Sequence, residues 1–197
     1  MATFTKVNNQ DGGFIVSFLL LLIALAAVLA VAVWLFLLRQ GDAEFMFLTD
    51  SRTEFTLQEI TQDKAVFVSQ VPFVNRGTQD GTLVDVFPRH LLPVEYFDSV
   101  NVAAKITIAS QPRKDDYWEA VIIESGKGDA VILTVILTAK NGDIVSSLSE
   151  MVDMPIDIVY QVVARCNSYL HKSRLVMRAE EIAAAMAEVS AKGGVAK

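Results

Sequence analysis

Cysteine and histidine are nearly absent from this chain of 197 residues, which has one Cys, Cys166, and two His, His90 and His171. A single thiol excludes an intramolecular disulfide, so no covalent staple supports the fold. Neither histidine has a second His or Cys at ligand spacing, and metal sites normally include such a short-spaced pair. Both read as surface or turn histidines. An electron-transfer copper site would need the two His, Cys166 and a Met to converge, and Cys166 falls at the end of a helical pattern, which works against that. Cys166 and His171 form no recognisable nucleophile pair, and the thiol reads as buried or half-buried and unreactive. The chain also lacks GxSxG, a P-loop, GxGxxG and HExxH. The expectation is no catalytic residue, no metal, no cofactor, and a protein that is not an enzyme.

Charge, glycine and proline are missing altogether from residues 14–38. About 25 residues at about 1.5 Å each make a helix of roughly 38 Å, enough to cross a hydrocarbon core of about 30 Å with some tilt. This reads as a single transmembrane helix. A cleavable signal peptide has an apolar region of about 7 to 15 residues and a small-residue cleavage site, whereas this run ends in Trp34 and Arg39, suited to the lipid interface. Lys6 on one side and Arg39 and Arg52 on the other nearly balance under the positive-inside rule. A short tail before a long apolar run favours the N-terminus in the cytoplasm and the remainder on the extracytoplasmic side. Ala26 and Ala30, four apart among several alanines, form a small-residue face along which another membrane helix could approach closely.

Basic charge is scarce in the remainder. Of 17 Lys and Arg against 23 Asp and Glu, only Lys6, Arg39 and Asp11 belong to the helix and its flanks, so the rest of the chain is acidic by about −7. That excludes a nucleic-acid footprint, and no polybasic cluster would hold the remainder on anionic lipid. Its length suits one domain with its own core.

From residue 45 onward the pattern is strand and turn. Phe45 and Phe47 alternate, and Phe55, Leu57 and Ile60 come next. Residues 64–75 (KAVFVSQVPFVN) are β-branched and aromatic, and 82–87 (TLVDVF) alternate again. Val100, Val102, Ala104, Ile106 and Ile108 sit at period two; residues 117–124 and 130–140 complete the set, the last apolar on both faces and hence central. Turns are signalled at 75–77, 79–81, 126–128 and 141–143. Pro72 has no ladder donor and belongs at an edge or bulge. Pro88 and Pro93 bracket a corner that either crosses between sheets or exposes Arg89, Leu91 and Leu92 as partner-contact candidates. The charged stretch 113–116 reads as a solvated hairpin tip.

Toward the C-terminus the pattern changes. Asp153, Pro155, then Ile156, Val159, Tyr160 and Val163 recur at helical spacing up to Cys166. Residues 169–177 read as one added strand, and 179–191 (AEEIAAAMAEVSA) as a helix with Glu180 and Glu181 in its first turn and a narrow stripe of Ile182, Ala185, Met186 and Val189.

The fold class expected is mainly β: one N-terminal transmembrane helix, an antiparallel immunoglobulin-like β-sandwich and C-terminal α-helices. The divisions are 1–13 tail, 14–38 membrane helix, 43–150 sandwich, 151–192 helical extension and 193–197 tail. One anchor followed at once by a sandwich with the strand-turn VPFVNRG, carrying Asn75 and Gly77, resembles single-pass proteins with a LEA type 2 or WHy-like domain. That resemblance covers residues 14–147 and implies a non-enzymatic domain of adhesive, lipid-contacting or scaffolding character; the C-terminal helices depart from it. Two functions are consistent with the sequence. One is an accessory or scaffold subunit whose partners are other membrane protein subunits; the other is an envelope domain binding membrane lipid or another apolar ligand.

Overall fold

The computed structural model describes residues 10–115 and 117–191, and the chain divides into two compact units, Met1–Gly41 and Asp42–Lys197. Most of the predicted 1–13 tail and all of 193–197 lie outside the described residues. The first unit is α1, Gln10–Arg39, of which Gly13–Arg39 is long and apolar enough to cross a membrane. Its large apolar side chains are all exposed.

The second unit is an antiparallel, immunoglobulin-like sandwich. One sheet has the order β1-β3-β7-β5, with β2 also paired to β3: β1 is Phe45–Phe47, β2 Thr56–Ile60, β3 Lys64–Asn75, β5 Val100–Ile108 and β7 Gly128–Ala139. The other has the order β6-β4-β8-β9, with β4 Gly81–His90, β6 Val121–Ile123, β8 Met154–Val163 and β9 Tyr169–Met177. Alternation places Phe67, Val71, Phe73, Leu133, Val135 and Leu137 on the inner face of the first sheet and Leu83, Val86, Ile156, Ile158, Tyr160 and Val162 on that of the second, all buried. Tyr160 bridges the layers: its ring packs 4.8 Å from that of Phe47, and its hydroxyl donates to Phe45 O at 3.1 Å. Glycines with positive φ stand in two of the predicted turns, Gly126 (71°) and Gly142 (77°).

Both strand prolines sit where a missing donor does no harm. Pro72 faces the interruption between β1 and β2: its carbonyl accepts from Leu48 N, and the Leu48 carbonyl, which a donor at position 72 would have met, accepts from Ser51 N. In β4 the Leu91 N–H donates to Pro155 O, so by register residues 85, 87 and 89 bond β8, and Pro88 turns its donor-less nitrogen to the other side. There β6 pairs only with residues 81–83 of β4, and a proline blunts the remaining edge.

One expectation is corrected. Residues 154–163 form strand β8 at the centre of the second sheet, not a helix. The spacing of Ile156, Val159, Tyr160 and Val163 satisfies a helix, but Met154, Ile156, Ile158, Tyr160 and Val162 complete a period-two set, and all five are buried. The β-branched content then favours the strand, which finds partners on both sides. Asp153 does cap a helix, but a distant one: its carboxylate accepts from Ala179 N at 2.8 Å, at the start of α3, Ala179–Ala191. The sandwich therefore continues to Met177, and most of the predicted 151–192 helical extension is sheet.

Short α2, Ile144–Leu148, capped by Asp143, and α3 close the end of the sandwich away from Asp42. Ile182 of α3 is fully buried and Ala185 and Met186 pack against the core, so this part of the stripe packs on its own sandwich; the Val189 side chain lies outside what is described. Arg52 fastens it: its guanidinium bonds Glu181 at 2.6 Å and Val176 O at 2.7 Å and lies 4.9 Å from the centre of the Phe55 ring. Glu181 Oε2 is buried without a partner.

Candidate docking surfaces

The segment that leads into the sandwich is bonded in place over three residues. Arg76 N donates to Glu44 O at 2.7 Å, Thr78 N to Asp42 O at 3.0 Å, and Glu44 N to Asn75 Oδ1 at 3.0 Å. The Asp42 carboxylate accepts from the backbone of Ala43, Arg165 and Cys166, so the loop between β8 and β9 holds the segment from its other side. Asn75 organises this end. Fully buried, it also accepts from Gly77 N at 3.0 Å and donates through Nδ2 to Gln79 O at 2.8 Å and Ile123 O at 3.2 Å, tying together the first strand, the turn after β3 and β6. The strand-turn that carries the sequence resemblance is thus the clamp on the start of the domain.

Cys166 lies in the exposed β8–β9 loop rather than on a helix or in the interior. Asp42 beside it pushes the thiol pKa up, which disfavours the thiolate. His90 ends β4 and His171 is on β9 with its ring 5.6 Å from that of Tyr160; β8 lies between the two strands. The histidines and Cys166 are not brought together, and no group of three or more His, Cys, Asp or Glu among the described residues could hold a metal.

The Pro88 to Pro93 corner crosses from β4 in one sheet to β5 in the other. Leu92 belongs to the core at 9% exposure and Leu91 is half-buried, so neither stands free; Arg89 is exposed. Past the corner, Val94 and Tyr96 protrude, at 55% and 85% exposure. Ala26 and Ala30 lie along exposed α1.

Two shallow clefts flank the clamped end. One, of about 470 Å³, lies between the end of β5 and β6 and is lined by Ile108, Trp118, Ile122 and the Arg113 loop. Trp118 roofs the core there, its Nε1 donating to Leu83 O at 3.2 Å. Arg113 is bound to Asp115 and Glu119, consistent with a solvated tip; Asp116 is outside the described residues. The other, of about 460 Å³, runs between residues 42–46 and Tyr160, Tyr169 and His171.

Sequence reading missed the outer face of the β6-β4-β8-β9 sheet. Asp157 lies on it, between neighbours that point into the core, yet is only 2% exposed. Arg174 accounts for this, reaching across from β9 with Nε 2.6 Å from Oδ1 and a second nitrogen 3.1 Å from Oδ2, while Lys172 Nζ stands at 3.5 Å. Arg89 is the cross-strand neighbour on β4. Arg174 above all, then Lys172, holds the Asp157 carboxyl below its ordinary value near 3.8. A lowered folded pKa contributes stability above the ordinary value, and this is lost as pH falls through the folded one. As pH falls below about 4 the urea midpoint of the protein is expected to fall more steeply than that of Asp157→Asn; parallel curves would remove this pair from acid stability.

No family model and no curated protein matches the chain. Among solved structures it is similar to the GAE domain of yeast GGA1, at 11% identity over 68% of this chain and 97% of that one, with TM-score 0.32. A FixG-related protein from Vibrio parahaemolyticus gives 8% identity over 68% and 94%, with TM-score 0.31. The GAE domain of GGA2p from Saccharomyces cerevisiae gives 8% over 62% and 96%, with TM-score 0.30. Likenesses of this size carry no functional argument, and the assignment of the sandwich rests on its own strand order and register.

Proposed function

We propose that this chain is a non-catalytic, single-pass membrane accessory subunit that holds other subunits of a membrane protein complex through its helix and its sandwich. One observation carries the reading: among the described residues, two separate apolar surfaces are exposed to solvent, one along residues 14–36 of α1 and one made of large side chains on the sandwich. Solvent-facing apolar clusters on a folded domain are contact surfaces more often than accidents. The bonded segment at residues 42–44 adds to this. Only Gln40 and Gly41 separate α1 from Asp42 in the chain.

Purification in mild detergent followed by mass spectrometry is expected to recover the chain with other membrane proteins. Recovery as a lone monomer with bound lipid would overturn the reading in favour of a lipid-binding envelope domain. Ala26→Leu combined with Ala30→Leu is expected to weaken recovery of the partners while membrane insertion is unchanged, because two added isobutyl groups keep helices apart. Unchanged recovery would remove that face from the interface. In our reading the N-terminus is cytoplasmic and the sandwich extracytoplasmic. Protease added outside spheroplasts should then degrade the sandwich, and protection until lysis would reverse the orientation.

A further inference from the structure

Resting on the proposed subunit role, we propose that the outer face of the β6-β4-β8-β9 sheet is the docking surface of the sandwich, and that its occupant is a protein segment presenting apolar side chains beside carboxylates. Among the described residues outside α1, ten large apolar side chains are exposed, and five of them, Val84, Phe87, Ile122, Val163 and Leu170, lie on this face. None lies on β3, β5 or β7, so the outer face of the other sheet has no such cluster. Register sets them in adjoining rows of one face: Phe87 is beside Val159 on β8, Asp85 beside Gln161, Val163 beside Thr82, and Thr82 beside Ile122. Leu170 joins the same face opposite Gln161. Val84 protrudes because β4 bulges between Leu83 and Asp85.

Charge sets the chemistry of the occupant. The domain is acidic and Asp85 lies exposed within the apolar patch, yet the far part of this face has Arg174 and Lys172 bound to one carboxylate, Asp157, with Arg89 as its neighbour across the strand pair. That leaves a surplus of cations at the far border of the patch. A segment with Asp or Glu at one end of an apolar stripe would complement both parts. Anionic lipid is the competing occupant, and the crosslinked species separates the two.

The test is photo-crosslinking of the full chain in its native membranes, with p-benzoylphenylalanine placed singly at Phe87, Ile122 or Leu170, and at Gln70 or Ala103 on the other sheet as controls. The expected result is a crosslink from the first three positions, and not from the controls, to a peptide with clustered carboxylates in another protein. Lys172→Glu with Arg89→Glu should reduce the Phe87 crosslink by about fivefold. Crosslinks only to lipid, only to a second copy of this chain, or equally from both sheets would overturn the proposal, as would a yield indifferent to the charge reversals. If partners co-purify but crosslink only through Gln70 or Ala103, the subunit reading stands and this face is wrong. If no protein co-purifies, the subunit reading itself fails.

Discussion

Asn75→Ala is expected to lower the stability of the sandwich by about 3 to 5 kcal/mol. The substitution removes one side chain but orphans four backbone groups: Glu44 N, Gly77 N, Gln79 O and Ile123 O. Asn75 is fully buried, so water cannot take its place without opening the clamped end. Ile123 O is buried and the other three groups are part-buried; a buried group left unpaired costs roughly 1 to 3 kcal/mol, and the part-buried ones toward the lower end. Urea unfolding followed by Trp118 fluorescence, in a Trp34→Phe background that leaves one indole, measures the effect, since Trp118 is 8% exposed over the same end. A loss below about 1 kcal/mol would show that the bonds are replaced and that Asn75 does not organise this end. Asn75→Asp should be no milder: it keeps the acceptor oxygen toward Glu44 and Gly77, but its second oxygen meets the Gln79 and Ile123 carbonyls in a fully buried site.

Gly77→Ala is expected to be at least as damaging, for a different reason. A Cβ at this position would stand 2.1 Å from Asp42 O, 2.5 Å from Glu44 N and 2.6 Å from Ala43 Cα. All three are backbone atoms and none can swing aside, so the first strand must leave the turn after β3. The bonds from Arg76 to Glu44 and from Thr78 to Asp42 then lengthen or break. Loss of about 3 kcal/mol or more is expected in the same urea measurement, with rapid proteolysis near residues 40–44. A variant as stable as the parent would mean that the segment at 42–44 is not seated against the turn.

The two substitutions also separate local sequence signal from tertiary consequence. Asn75 and Gly77 are visible in the sequence as turn residues after an apolar strand, and turn chemistry explains why they end β3. Their main bonds and contacts reach residues 42–44, about thirty positions earlier, and Ile123, far later. No local pattern encodes that. Asp157 is similar: the sequence shows only a lone acid in an apolar run, and only pairing of β8 with β9 brings Arg174 and Lys172 to it.

The sequence alone determined those features in which a short window settles the physics. A run of about 25 residues without charge, glycine or proline can only be an apolar helix of membrane length. Alternation of apolar side chains can bury one face only in a strand, which yielded most of the sheet, whereas Pro72 falls within a strand paired on both sides and Pro88 within β4 rather than at a corner. What needed the tertiary structure was everything decided by pairing. Residues 153–166 satisfy two periods at once, and two neighbouring strands selected the extended one. The core position of Leu92, the clamp on residues 42–44 and the apolar face with its cationic border all arise from contacts between distant segments, whose energies no local window contains.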